Sequence, residues 1–113
     1  MADCLNDLRA RINTFVAERD WAQFHTPKNL AMAMIVEAAE LVEQFQWDTP
    51  LESQQLSPEK REAAAHELAD TFVYILRIAE VLEIDLIDTS PRARRRRVLG
   101  PFMWETPRLR PPG

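Results

Sequence analysis

Two long apolar segments, each preceded by a hydroxyl residue and a proline, restrict this chain to a helical fold. One follows Thr26 and includes LAMAMIVEAAELVEQFQW; the other follows Ser57 and includes HELADTFVYIL. A hydroxyl side chain caps a helix N-terminus, and proline suits the first helical position. We therefore predict helices over about residues 27–46 and about residues 58–82. Apolar residues surround both helices, so neighbours must cover them, which predicts an all-α helical bundle.

The remaining elements are predicted from spacing and from turn signals. Apolar residues at helical spacing predict a first helix over about residues 3–18. A polar loop is expected over residues 48–57, and Asp85 is expected to cap a fourth helix. Only 2 of the 113 residues are glycine. The other apolar residues are mostly helix formers, so no strand is predicted.

Charge divides the chain into two parts. Residues 1–90 carry 7 basic and 17 acidic side chains. Residues 91–113 carry 7 arginines and 1 glutamate, together with five of the eight prolines. We therefore predict a single helical domain over residues 1–90, followed by a basic, proline-rich C-terminal tail over residues 91–113.

The chain carries no sign of a membrane or secretory segment. No apolar run reaches the roughly 18 residues that a membrane-spanning helix needs, and the N-terminus has no apolar signal core. The single cysteine, Cys4, cannot form an internal disulfide. These features predict a cytoplasmic protein without a membrane partner.

Four carboxylates stand out because they lie inside the two apolar helices. Glu37 and Glu40 are three residues apart, as are Glu67 and Asp70, so each pair projects from one helix face. A buried carboxylate must be paired, protonated or bound to a metal. No lysine or arginine lies between Lys28 and Lys60. If the helices pack so that the pairs meet, an oxygen-only site for Mg²⁺ or Mn²⁺ results.

Two other interpretations of these carboxylates stay open at this stage. Acidic helices often carry such spacings on solvated faces, where no metal binds. A di-iron bundle would need Glu-x-x-His motifs, which are missing because His66 directly precedes Glu67. His66 is therefore expected to be a surface or core histidine. Glu43, one turn beyond Glu40, is either a supporting group or base of the site, or a solvated residue.

Aromatic residues flank the acidic segments. Trp21, His25, Trp47 and Tyr74 could line a stacking pocket for a planar base, or could simply fill the core. Tyr74 lies one helical turn after Asp70 and therefore on the same face.

Several motifs together resemble one known family. ERDWAQFHTPKN, the ExxE pair, FQW and ELADTFVY occur in this order over about residues 12–88. The combination resembles the MazG-like all-α nucleotide pyrophosphohydrolases, and most closely the dCTP pyrophosphatase branch. The resemblance implies a magnesium-dependent hydrolase that converts a dNTP, most simply dCTP or a modified pyrimidine dNTP, to dNMP and pyrophosphate. Its role would be sanitation of the nucleotide pool.

The resemblance also implies roles for individual residues. Members assemble as homodimers or homotetramers around a four-helix-type core, with sites shared between chains. The implied metal-binding and catalytic residues are Glu37, Glu40, Glu67 and Asp70. The implied base-pocket residues are Trp21, Trp47 and Tyr74. We predict that His25 and Arg97 of the tail also bind the substrate.

The chain departs from the family pattern at two places. Ile12 stands where the mammalian relative has a histidine. Ala93 and Arg97 stand where the family's last helix supplies a lysine and an asparagine to the phosphates. Three explanations of the tail stay open: a divergent or disordered end, replacement of the phosphate contacts by Arg92 or by the arginines of 94–97, or a frame change near Asp88.

Two alternative functions follow from the same tail. Five arginines in six residues could bind a nucleic acid backbone, although the acidic body and the lack of a base-reading motif disfavour that partner. A catalytically impaired family member is the other alternative.

Overall fold

A computed structural model describes residues 2–86 of the chain. Within this range it contains four α-helices and no strand: α1 (Ala2–Glu18), α2 (Pro27–Glu43), α3 (Pro50–Ser53) and α4 (Pro58–Val81). A short 3-10 turn, Ala22–Phe24, links α1 to α2. The all-α prediction is therefore confirmed for the described residues. The tail over 91–113, the proposed boundary at residue 90, and the remainder of a fourth predicted helix lie outside them.

The predicted helix starts are confirmed at atomic detail. Thr26 Oγ1 accepts a hydrogen bond from the backbone N–H of Asn29 at 3.1 Å. Ser57 Oγ accepts one from the backbone N–H of Lys60 at 3.2 Å. Proline follows each cap at the first helical position, where its missing N–H leaves no intrahelical bond unmade.

Two details of the region between the long helices differ from the prediction. The expected polar loop contains α3, because Thr49 and Glu52 form a reciprocal capping box. Glu52 Oε1 accepts from the Thr49 N–H at 2.9 Å, and Thr49 Oγ1 accepts from the Glu52 N–H at 3.2 Å. The second helix ends at Glu43 and not near Gln46, since Gln44 and Phe45 hydrogen-bond in tighter three-residue turns.

Helices α1 and α4 end in the same motif. Asp20 and Glu83 adopt left-handed backbone conformations, with φ of 54° and 56°. The next backbone N–H in each case bonds back five residues, from Trp21 to Val16 O at 3.1 Å and from Ile84 to Ala79 O at 2.8 Å. This reversal satisfies the last carbonyls of a helix. At the end of α1 it also places Trp21 beside that helix.

The core is small and lies mainly between α2 and α4. These two helices make the most extensive contact, and α1 rests more lightly on α4. Leu30 is 1% exposed, while Val16, Ala64, Leu76 and Ala79 complete the buried apolar set among the described residues. None of the helices in residues 2–86 is long and apolar enough to cross a membrane.

Candidate active site: an acidic cluster beside an aromatic cavity

The contact between α2 and α4 brings carboxylates of both helices together. Glu37, Glu67 and Asp70 each offer one carboxylate oxygen, and these three oxygens lie within 4.8 Å of one another. Glu37 and Glu67 are half-buried, whereas Asp70 is exposed. The two predicted pairs therefore face each other across the helix contact.

Glu40 belongs to the same neighbourhood through its effect on Glu67. The pKa of Glu67 is raised to about 7, first because burial disfavours the charged form. The protonated carboxyl can also hydrogen-bond with Glu40 and Glu37, and their negative charges raise its pKa further. Glu67 Oε2 is buried and has no hydrogen-bond partner within residues 2–86. The cluster thus holds negative charge that no lysine or arginine within residues 2–86 balances.

This raised pKa predicts a pH-dependent stability in the absence of metal. Between pH 4.5 and about 7 the folded chain keeps a proton on Glu67 that the unfolded chain has released. The resulting stabilisation is present below pH 4.5 and is lost as the pH rises through about 7. We expect Glu67→Gln to remove this contribution, which urea denaturation in EDTA at pH 5 and pH 8 would measure.

The pKa of His25 is lowered by burial and by Arg77, so its contribution to stability changes with pH in the opposite sense. Since His25 is present in both proteins, the difference between wild type and Glu67→Gln isolates the contribution of Glu67. Glu62→Gln, an exposed change on the same helix, is the matched control. Its free energy of unfolding should change between pH 5 and pH 8 as much as that of the wild type does. An equal change for wild type and Glu67→Gln would show that Glu67 has an ordinary pKa.

A cavity of about 400 Å³ lies between α1, the connector and α4. Its wall includes the side chains of Ile12, Phe15, Trp21, His25, Tyr74 and Arg77. Trp21 packs edge-to-face on Phe15, with ring centroids 5.4 Å apart and planes at 71°. Since Trp21 is still 44% exposed, part of its ring is available to a ligand. The cavity is therefore suited to a planar, largely apolar group.

The cavity and the acidic cluster are neighbours because α4 contributes to both. Tyr74 lines the cavity and follows Asp70 by four residues. Four residues advance a helix by about 6 Å. A ligand with a planar ring and a negatively charged chain could thus reach both features at once.

A hydrogen-bonded network that includes two residues of the cavity wall was not predicted from the sequence. The Arg77 guanidinium is buried and donates to His25 Nδ1 at 3.3 Å and to Asn13 Oδ1 at 2.8 Å. Asn13 in turn donates to Glu80 Oε1 at 3.3 Å, and Glu80 pairs with Arg9 at 2.7 Å.

Burial and the charge of Arg77 lower the pKa of His25. The sequence does contain one indication that Arg77 belongs to the site: it follows Asp70 by seven residues and therefore lies on the same helix face.

The other predicted residues lie away from this cavity. Trp47 follows the end of α2 and is 88% exposed, and it is not part of the cavity wall. Glu43 and His66 are exposed; His66 Nε2 lies 3.8 Å from Glu62, as expected for a surface histidine. Arg97, predicted to contact phosphates, lies outside the described residues, as does Ala93.

Comparison with known proteins finds relatives of the chain among dCTP pyrophosphatases. No family model matches the chain. It is 44% identical to human dCTP pyrophosphatase 1 over 84 residues, which are 73% of this chain and 49% of the relative. The rat dCTP pyrophosphatase 1 is 42% identical over 91 residues, or 79% of this chain and 51% of the relative. The chain therefore spans about half the length of the curated relatives it matches.

A solved structure is similar over nearly its whole length. A pyrophosphatase from Archaeoglobus fulgidus superposes with a TM-score of 0.71 and is 31% identical. The alignment covers 85% of this chain and 93% of the archaeal one. The similarity thus extends through the helices that carry the acidic cluster.

Proposed function

The chain belongs to the MazG-like family of all-α nucleotide pyrophosphohydrolases, and on that premise we propose that it hydrolyses a deoxynucleoside triphosphate to its monophosphate and pyrophosphate. One observation carries the proposal: Asp70 of the carboxylate cluster lies one helical turn before Tyr74 of the aromatic cavity on α4. A nucleotide has a planar base and an anionic phosphate chain, which match these two features. The proposed substrate is dCTP or a modified pyrimidine dNTP, in keeping with the names of the mammalian relatives.

The acidic cluster fits a hard divalent cation, proposed to be Mg²⁺ with Mn²⁺ as the alternative. Mg²⁺ and Mn²⁺ prefer oxygen ligands such as carboxylates. The three carboxylate oxygens lie within 4.8 Å of one another, so these residues would be close enough to hold one such ion together. Glu67 Oε2, which has no hydrogen-bond partner within residues 2–86, is available as a ligand atom. We propose Glu37, Glu67 and Asp70 as ligands, with Glu40 beside them.

The carboxylates would also control the proton of the attacking water. A divalent ion bound there would polarise the α-phosphate and lower the pKa of a coordinated water. Water adds to the α-phosphorus, the bond from that phosphorus to the bridging oxygen breaks, and pyrophosphate leaves. A carboxylate of the cluster that is not fully used as a ligand accepts the water proton. We propose that Glu40 does so, or that it completes the ligand set.

The cavity is the proposed base pocket. Trp21 and Tyr74 supply aromatic surface on which a base can stack, and His25 supplies a polar group in the same wall. Ile12, in place of the histidine of the mammalian relative, adds apolar surface. We propose that this pocket selects the pyrimidine and that the acidic cluster binds the phosphates through the cation.

We further propose a homodimer or homotetramer. Many large apolar side chains of α2 and α4 are exposed in the single chain, among them Met32, Ile35, Leu68 and Phe72. Exposed apolar surface of this extent is typical of a protein interface. Trp47, 88% exposed, is proposed to complete the base pocket of a second copy. Pairing of these helices would build the four-helix-type core.

One assay tests the proposed reaction. The 113-residue chain is incubated with Mg²⁺ and a panel of nucleoside triphosphates, and pyrophosphate is measured separately from orthophosphate. We expect pyrophosphate and the nucleoside monophosphate in equal amounts, with pyrimidine deoxynucleotides turned over fastest and no turnover in EDTA. Orthophosphate as the sole product, or no turnover of any nucleotide, would contradict the proposal.

A further inference from the structure

The guanidinium of Arg77 is buried beside neutral hydrogen-bond acceptors. The residue is 8% exposed. Its Nε donates to His25 Nδ1 at 3.3 Å, and its Nη1 donates to Asn13 Oδ1 at 2.8 Å. A buried cation is costly unless its donors are used and its charge is balanced nearby. The balance reaches Arg77 indirectly, from Glu80 through Asn13.

The bond to His25 determines where the imidazole carries its hydrogen. Guanidinium N–H groups can only donate, so the Nδ1 atom that faces Arg77 must accept and cannot itself be protonated. A neutral imidazole then carries its single hydrogen on Nε2. Burial and the neighbouring charge of Arg77 both lower the pKa of His25, which favours this neutral form.

Arg77 is itself fixed in place by two helices. Asn13 on α1 holds one end of the guanidinium at 2.8 Å. The amide of Asn13 is oriented by its bond to Glu80 on α4, and Glu80 is paired with Arg9 on α1. The direction of the bond to His25 is therefore set by a chain of contacts that joins α1 to α4.

We propose that Arg77 is a positioning residue that fixes His25 in the Nε2–H tautomer, so that His25 presents a hydrogen-bond donor to an acceptor atom on the edge of a pyrimidine in the cavity. This role rests on the proposed function. Pyrimidines carry such acceptors, for example the carbonyl oxygen and the unprotonated ring nitrogen of cytosine. A histidine free to exchange tautomers would present either a donor or an acceptor and would select the base edge less well.

The tautomer can be observed directly by nitrogen-15 NMR of the imidazole rings. The chain has 2 histidines, and His66→Gln identifies the signals of His25. In the wild type we expect His25 Nδ1 to resonate as an unprotonated nitrogen and Nε2 as a protonated one. A wild-type His25 that carries its hydrogen on Nδ1, or that exchanges between both forms, would overturn the proposal without any Arg77 variant.

Variants then separate the hydrogen bond from mere packing. Arg77→Met keeps length but removes the donor, and should give a mixture of His25 tautomers. Arg77→Lys restores a donor and should recover the Nε2–H form. Asn13→Ala removes the anchor of Arg77 and should give an intermediate mixture, which serves if Arg77→Met does not fold. Unchanged His25 signals in whichever of these two variants folds would overturn the proposal.

Binding of dCMP, the expected product, links the tautomer to recognition without requiring turnover. We expect dCMP to shift the His25 Nε2–H signal, and Arg77→Met to weaken dCMP binding about tenfold, the equivalent of one hydrogen bond. Arg61→Met, an exposed change on the same helix, is the matched control and should bind like the wild type. In turnover, Arg77→Met should raise KM more than it lowers kcat.

The two proposals fail in different ways. A protein that binds dCMP through His25 but releases no pyrophosphate would contradict the proposed reaction alone. A protein that releases pyrophosphate, but binds dCMP equally well with and without Arg77, would contradict the role of Arg77 alone.

Discussion

Asp70→Asn and Glu37→Gln are each expected to abolish magnesium-dependent release of pyrophosphate while the helices stay folded. Both changes keep the size of the side chain but remove a charged oxygen. The cluster that loses it is the one whose three carboxylate oxygens lie within 4.8 Å of one another. Loss of groups that merely orient a metal ligand commonly costs 10- to 100-fold, so loss of a ligand charge should cost at least about 100-fold in kcat/KM. Steady-state kinetics with dCTP, together with circular dichroism, would measure both effects.

The matched control for this experiment is Glu62→Gln. Glu62 lies on α4, as Asp70 does, and it is exposed with a long contact to His66 at 3.8 Å. Its substitution removes the same charge from the protein and should leave kcat/KM within about twofold, since surface charges contribute little. Activity of Asp70→Asn equal to that of Glu62→Gln would remove this cluster from the proposed reaction.

Leu30→Ala is expected to produce the largest loss of stability among single substitutions in the core. Leu30 is 1% exposed and lies in the first turn of α2, the helix that packs most extensively on α4. Truncating a fully buried leucine removes apolar contacts and leaves a cavity, at a cost of 2–5 kcal/mol. We therefore expect the free energy of unfolding to fall by about 3 kcal/mol, measured by urea denaturation at a fixed pH.

Met32→Ala on the same helix is the control for Leu30→Ala. Met32 is 58% exposed in the single chain, so its truncation should cost under about 1 kcal/mol when the protein is dilute. If the exposed faces pair between copies, that cost should grow with protein concentration, whereas the cost of Leu30→Ala should be large even when the protein is dilute. A cost for Leu30→Ala no greater than that for Met32→Ala would contradict the described core.

The helical plan could be predicted because its strongest signals are local. Thr26 and Ser57 act as caps within three residues of their own position, and such contacts do not depend on the rest of the fold. The helix α3 was missed because its capping box occurs in a segment too polar and too short to show periodicity. The end of α2 was placed too late because no glycine or proline marks it, and its last turns tighten only gradually.

The same distinction between local and distant contacts applies to the site. The convergence of Glu37, Glu67 and Asp70 could be predicted because helical spacing puts carboxylates on one face of each long helix. Their meeting across α2 and α4 required only that these helices pack. Arg77, in contrast, acquires its role from Asn13 and His25, which lie 64 and 52 residues away in sequence. A contact of that kind follows from the tertiary arrangement of α1, which spacing along one helix does not encode.

Different helices carry the carboxylates and part of the cavity wall, and this division has an evolutionary consequence. All four carboxylates are carried by α2 and α4, whereas α1 contributes Ile12, Phe15 and other parts of the cavity wall. Substitutions at the cavity positions of α1 can therefore reshape the cavity without changing any of the four carboxylates. If the proposed function holds, relatives could diverge in the bases they accept while inheriting the same four carboxylates.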